Sequence, residues 1–227
     1  MKKLGFLILF GIAAFSVTYA VGFNVSVGFG GDFGLGFTSF NTNIPEPAKA
    51  EAEDVLKNED WNRGGFWFYI DLTYLELNLG GKYYNITVDQ LGLDYKETQS
   101  FFNVGLMVKY PFSANEKISL FPFVGFDWQI FTKVKMSQGS YSEEYSRSDL
   151  SDFDVDKNYY DRFVINFGFG ADFFVWRGMY IRAILNYGIN LHTKSQKDII
   201  DLINDYGYDV SILNHGPSIK LAVGYRF

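Results

Sequence analysis

The feature that most constrains this chain is a period of two. Over positions 21–37 the odd residues are Val21, Phe23, Val25, Val27, Phe29, Gly31, Phe33, Leu35 and Phe37, while every even residue between them is small or polar. Extended backbone sends successive side chains to opposite sides, so such a stretch has one apolar face and one small, wet face. The same alternation returns at 102–110, 124–130, 163–173, 179–191 and 219–227. Across 64–82 the apolar phase of Phe66, Phe68 and Ile70 gives way to that of Leu75, Leu77 and Leu79. A change of phase marks a turn or a bulge, and a tight hairpin is expected near 71–73.

The pattern predicts strands at about 21–37, 63–71, 73–84, 98–112, 118–133, 160–175, 179–192 and 214–227, read from the alternation. Their connections alternate in length. Those at 71–73, 113–117 and 176–178 are short, and those at 38–62, 85–97, 134–159 and 193–213 are long. No segment after Ala20 is a continuous apolar stretch long enough for a membrane helix. The expected fold is all-β: an eight-stranded antiparallel transmembrane up-and-down barrel with short periplasmic turns and long external loops. An extra hairpin hidden in a long loop, with 85–97 the first place to look, would make ten strands. A soluble sandwich or lipocalin-like barrel shares the period. Glycine distinguishes the readings. It is frequent on the polar face of these strands, beside an apolar face heavy in aromatics, which make up 19% of the chain. Glycine suits a narrow, filled barrel interior better than an exterior facing water.

The ends point to export. Lys2 and Lys3 precede an apolar run over 4–15, and Thr18-Tyr19-Ala20 places small residues where a signal peptidase reads. Residues 1–20 are therefore expected to be a cleaved secretory signal peptide, and 21–227 one barrel domain. Removing the two lysines takes the formal charge from −6 to −8, which argues against a nucleic-acid partner. The chain has no cysteine, so thiolate metal sites and thiol nucleophiles are excluded.

The chain resembles the small bacterial outer-membrane barrels of the broad outer-membrane protein A and X class. The resemblance rests on the final strand, 219–227, which is similar to the C-terminal signal read by the barrel-assembly machinery, with Val223, Tyr225 and Phe227 as its apolar positions. It rests also on 105–112 and 120–128 across a short turn, and on the leader. The resemblance implies location in the outer membrane, contact with outer-membrane lipids and passage through the assembly machinery. It implies no particular activity.

Candidate chemistry lies in three places. The phases turn Asp32, Asp71, Glu76, Asp127 and Asp172 inward, together with Lys109, Arg162, Arg182, Lys220 and Arg226. Charges inside a narrow barrel must be paired, since each alone carries a heavy desolvation cost. A lumen charge network that plugs the barrel is expected, and eight strands leave no room for a continuous water pore. Next, His192 and His215 flank the last hairpin. Ser218 lies near His215, but at an offset of three it points to the opposite face. These are fragments of a lipid-modifying site rather than a nucleophile, base and orienting carboxylate. Finally, Asp152, Asp154 and Asp156 alternate as at the start of a calcium loop. The sixth and twelfth positions, Lys157 and Phe163, depart from that motif, and a solvated acidic loop is expected.

The residues 195–206 predict a helix capped by Ser195, its apolar stripe covering the barrel mouth. Trp61, Tyr110, Trp128, Tyr160, Trp176, Tyr187 and Tyr225 are expected to form interfacial girdles. No cofactor and no catalytic residue are assigned. The functional expectation is a structural or surface-interaction barrel acting through acidic external loops. A carrier or narrow channel for small solutes, and a lipid-modifying enzyme, are the alternatives.

Overall fold

The computed structural model describes residues 24–45, 49, 60–90, 93–153, 155–191, 193–205 and 207–227. The leader at 1–20, His192 and most of the first long connection lie outside the described residues. In chain order the strands are β1 (Ser26–Thr42), β2 (Asp60–Leu72), β3 (Leu75–Gln90), β4 (Leu93–Lys109), β5 (Phe112–Asn115), β6 (Ile118–Gln138), β7 (Tyr141–Ser146), β8 (Arg162–Trp176), β9 (Met179–Leu191) and β10 (Val210–Arg226), with one helix, α1 (Lys194–Asp205), between the last two.

Eight of these strands close a barrel. Each pairs antiparallel with its neighbour in sequence, β4 meets β6, and β1 joins β10 from Ser26↔Arg226 to Thr42↔Val210. The two others are accessory. β5 lies along the foot of β6, and β7 folds back on its upper end from Lys133↔Ser146 to Gln138↔Tyr141. The extra hairpin thus sits at the β6–β7 tip. The 85–97 region instead prolongs β3 and β4 in unbroken register, so it adds no strand to the barrel.

The first short turn is one position later than its expected place. Leu72 pairs with Leu75, leaving Thr73 and Tyr74 at the tip, with Thr73 at φ 67°. Its hydroxyl accepts from the Asn24 N–H at 2.9 Å and donates to the Asn24 carbonyl at 3.1 Å, which holds the left-handed residue in place. Arg177-Gly178 forms another short turn, both residues at positive φ.

The outer wall is apolar. Phe29, Phe33, Phe66, Phe169 and Leu185 are each 60% exposed or more, which only a hydrocarbon surrounding would tolerate over so large a surface. On β1 the outward residues run from Val27 to Phe37 before Ser39 turns the surface polar. At about 3.3 Å per residue and a tilt of about 40°, that run stands about 25 Å tall, the height of a transmembrane barrel's apolar band. Tyr110, Trp128, Trp176 and Tyr225 lie exposed on this wall. Trp61 does not: β2 turns it inward, where it is 5% exposed, and Tyr160 is half-buried against the aromatic residues at the barrel mouth. The odd positions of β2 all face the lumen, so Trp61 shares the phase of Trp67 and Tyr69 rather than that of Phe66.

Inside, glycine makes room for rings. A Cβ on Gly36 would lie 1.8 Å from the Trp61 indole, and one on Gly170 would lie 2.2 Å from the Phe121 ring. Overfilling a packed interior by one methyl typically costs about 1–3 kcal/mol. Gly36→Ala is therefore expected to lower the stability of the inserted barrel by about that amount, read as a lower urea midpoint for unfolding from lipid vesicles.

Candidate functional site

The inward residues of all eight barrel strands fill the lumen in layers. At the end of the barrel that carries the short turns stands Arg182 of β9, fully buried and ringed by carboxylates. Its Nε donates to Asp172 Oδ1 at 2.6 Å, and Nη2 donates to Asp172 Oδ2 at 2.8 Å and Asp71 Oδ2 at 2.7 Å, while Nη1 donates to Glu76. Lys109 donates to the same Asp71 and lies 3.6 Å from Glu76. Rings surround these cations. The guanidinium of Arg182 is 4.6 Å from the Tyr69 ring centroid, and Lys109 Nζ is 4.5 Å from that of Phe121. Strands β2, β3, β4, β8 and β9 are thereby joined across the lumen by ion pairs.

The next layer outward is a second cluster. Lys82 Nζ lies 2.5 Å from Asp127 and 3.7 Å from Asp32. Arg63 donates to Ser218 Oγ at 2.5 Å, and Asn186 donates to Asn166 and to Ser218. Lys220 is buried above the Trp67 ring at 5.5 Å. Above this layer Trp61, Tyr84, Phe101 and Phe131 pack together. Arg162 lies over the Tyr84 and Phe101 rings at 4.6 and 4.8 Å and donates to Gln99. At the opposite end Arg226 covers Phe174 at 4.2 Å.

The residues named from the sequence thus fall into separate groups. Glu76, Lys109, Asp172 and Arg182 meet in one cluster with Asp71. Asp32 and Asp127 meet in another, with Lys220 in the same layer. Arg162 and Arg226 stand apart, each on aromatic rings at an end of the barrel. Two buried cations were missed, Arg63 and Lys82, and Lys82 is the direct partner of Asp127. Both adjoin glycine pairs in the stretch where the phase changes. Extending the phase of Leu75, Leu77 and Leu79 across Gly80-Gly81 would have turned Lys82 inward. Val223, Tyr225 and Phe227 face outward at the end of the chain, all exposed.

The outer mouth is covered by folded loop. Leu150 and the half-buried Val155 and Tyr160 close on the Trp61–Phe131 cluster. Asp161 accepts from the Phe131 N–H at 2.9 Å and from Arg147 at 2.6 Å, and Arg147 also reaches Asn158 at 2.6 Å. This ties the third long loop to the bulge in β6, where the register shifts beside Phe101. Helix α1 is capped by Thr193 rather than Ser195. Thr193 Oγ1 accepts from the Gln196 N–H, and Gln196 Oε1 accepts from the Thr193 N–H, both at 3.1 Å. Its Ile200 and Ile203 pack on Val210, Ile212, Phe40 and Ile44, beside β1 and β10. Lys194 pairs with Asp156 at 3.0 Å and so joins the third and fourth loops.

Asp156 is held by this lysine and by the Asn158 N–H, and Asp152 is exposed. Among the described residues no group of three or more histidine or carboxylate side chains is arranged to hold a metal ion. His215 faces the outer wall and Ser218 the lumen, as their offset of three requires. The hydroxyls beside His215 are those of Ser39, from β1, at 2.8 Å and of Tyr187, from β9, at 2.5 Å.

No family profile matches this sequence, and no curated protein matches it. Similar solved structures include neisserial surface protein A, at 11% identity and a TM-score of 0.47, covering 91% of this chain and 97% of that one. The outer membrane protein OprG of Pseudomonas aeruginosa is 10% identical with a TM-score of 0.40, covering 90% and 95%. The attachment invasion locus protein Ail of Yersinia pestis is 15% identical with a TM-score of 0.31, covering 90% and 97%.

Two predictions follow from the charged layers and the loop that covers them. Arg182→Met leaves Asp71, Glu76 and Asp172 crowded around an apolar side chain, and breaking a buried pair costs about 3–5 kcal/mol. Arg182→Met with Glu76→Gln and Asp172→Asn should recover much of that loss, both measured by unfolding from vesicles. In the third loop the Ser146 N–H and hydroxyl hold the Asp149 carboxyl below the usual range. A depressed carboxyl contributes stability above its unfolded value and loses it as pH falls through its folded one. Protection of the Ser146 amide, measured against the free-peptide exchange rate at each pH, should therefore fall as the pH drops below about 4.

Proposed function

We propose that this protein is a non-conducting outer-membrane barrel that presents ordered, acidic external loops to molecules outside the cell. The observation that carries this reading is the lumen. Arg182 and its three carboxylates occupy the barrel at one level, Lys82 with Asp32 and Asp127 at the next, and an aromatic cluster with Leu150 over it at the mouth. A solute crossing this interior would have to separate buried ion pairs at two levels, each at a cost of several kcal/mol. In this reading the charge network braces the wall, and the loops are the working surface.

The loops favour contact through their order. The third is pinned by Arg147 and Asp161, the fourth by the Thr193–Gln196 capping box and the buried Ile200. A surface ordered before binding loses little entropy on contact. On the same reading residues 1–20 direct export and are removed, and the outward Val223, Tyr225 and Phe227 engage the assembly machinery before they meet lipid. The protein then acts by presentation and not by catalysis.

The test is electrical. Purified mature protein in planar bilayers should give no stable single-channel currents, and large, persistent steps would overturn the sealed-lumen reading. For the loops, replacing residues 195–208 by a short Gly-Ser turn should leave insertion intact. It should also weaken adhesion of expressing cells to a cationic, polylysine-coated surface.

A further inference from the structure

The outer wall carries a groove with a polar head that the sealed lumen does not explain. Pro217 interrupts the β1–β10 ladder. Pairing runs to Gly34↔Ser218 and resumes at Phe37↔His215. Proline has no N–H to give the ladder, so the pairing lapses there. Outward of this gap lies an apolar depression of about 560 Å³, lined among others by Leu35, Phe169, Leu185, Pro217, Ile219 and Tyr187. It opens onto the same face as the exposed apolar band, so its only natural solvent is the bilayer.

At the groove's outer end stand three polar side chains in line. Ser39 Oγ is 2.8 Å from His215 Nε2, and Tyr187 OH is 2.5 Å from His215 Nδ1, with the two rings stacked. A neutral imidazole has one N–H and one acceptor nitrogen. If Ser39 donates to Nε2, then Nδ1–H donates to Tyr187, and the Tyr187 hydroxyl hydrogen is left over. If Tyr187 donates to Nδ1, the Ser39 hydrogen is left over. Either arrangement leaves one O–H unused at one end of the line. That donor sits where the outward face of β1 passes from Phe37 to Ser39, at the top of the apolar band, and is free to donate to a lipid oxygen at that level.

We infer that this wall binds one bilayer lipid, an acyl chain in the groove and an ester or headgroup oxygen accepting from the Tyr187–His215–Ser39 line. Both halves of the site fit one molecule. The groove supplies an apolar trough within the hydrocarbon band. The polar line supplies a donor at the level of the ester and headgroup oxygens directly above it. A hydrocarbon chain without an oxygen would satisfy the trough alone.

The experiment uses the mature protein in vesicles of phosphatidylethanolamine and phosphatidylglycerol, with a small fraction of phosphatidylethanolamine bearing a diazirine in one acyl chain. After illumination, labelled peptides should centre on Leu185 and Ile219 and exceed those from Leu79 and Phe102 on the far wall. Excess diacyl lipid should compete, and hexadecane should compete far less. Tyr187→Phe and His215→Phe should each reduce the local labelling about two- to tenfold, the worth of one hydrogen bond. Leu185→Trp, which fills the trough, should abolish it. Retained heat-modifiable migration in gels shows that each variant is folded. Labelling spread evenly around the wall, or equal competition by hexadecane, would overturn the proposal, as would labelling unchanged in folded Tyr187→Phe and His215→Phe proteins. The wild-type map and competition decide the matter even if a variant does not fold.

Discussion

The bonding of Arg182 is the constraint on which the interior depends. A fully buried guanidinium is tolerable only if its donors are met, and here Asp71, Glu76 and Asp172 meet them from three different strands. Each carboxylate is in turn tolerable because of Arg182 or Lys109. The cluster therefore sets the relative height of β2, β3, β4, β8 and β9, since a slip by one residue would turn a charge outward into the apolar wall. Tyr69, Phe121 and Tyr180 close around it and exclude the water that would otherwise weaken it.

Glycine and aromatic side chains complete the same arrangement on both faces. Inward, Gly36 and Gly170 give way to Trp61 and Phe121. Outward, Tyr83 lies over Gly64, where a Cβ would come within 2.2 Å of its hydroxyl. A narrow barrel has a fixed interior area per layer, so a large ring at one position requires a small neighbour. This is why the polar face of the strands carries so many glycines. The interior is built from rings and paired charges, with little space for a solute. The loops that cover the mouth continue this packing outward through Leu150 and Ile200.

Much was legible in the sequence because strand geometry is local. Alternation alone gave the number of barrel strands, their order and the inward phase of Asp32, Asp127 and Arg182. What it missed arose where local signals were interrupted. Gly80-Gly81 obscured the phase of Lys82, and Trp61 looked like a girdle residue because tryptophan favours interfaces whichever way its strand faces. The helix cap fell on Thr193 because a capping box needs Gln196 three residues on, a pairing that Ser195 lacks.

By itself, then, the amino-acid sequence determined an antiparallel barrel with an apolar wall and a charged interior, since a period of two decides which face each residue joins. Only the tertiary structure decided who meets whom. Arg182 finds Glu76, Lys82 finds Asp127, and Ser39 finds His215 across 106, 45 and 176 positions of chain. Such contacts depend on barrel closure and register, which no local pattern encodes.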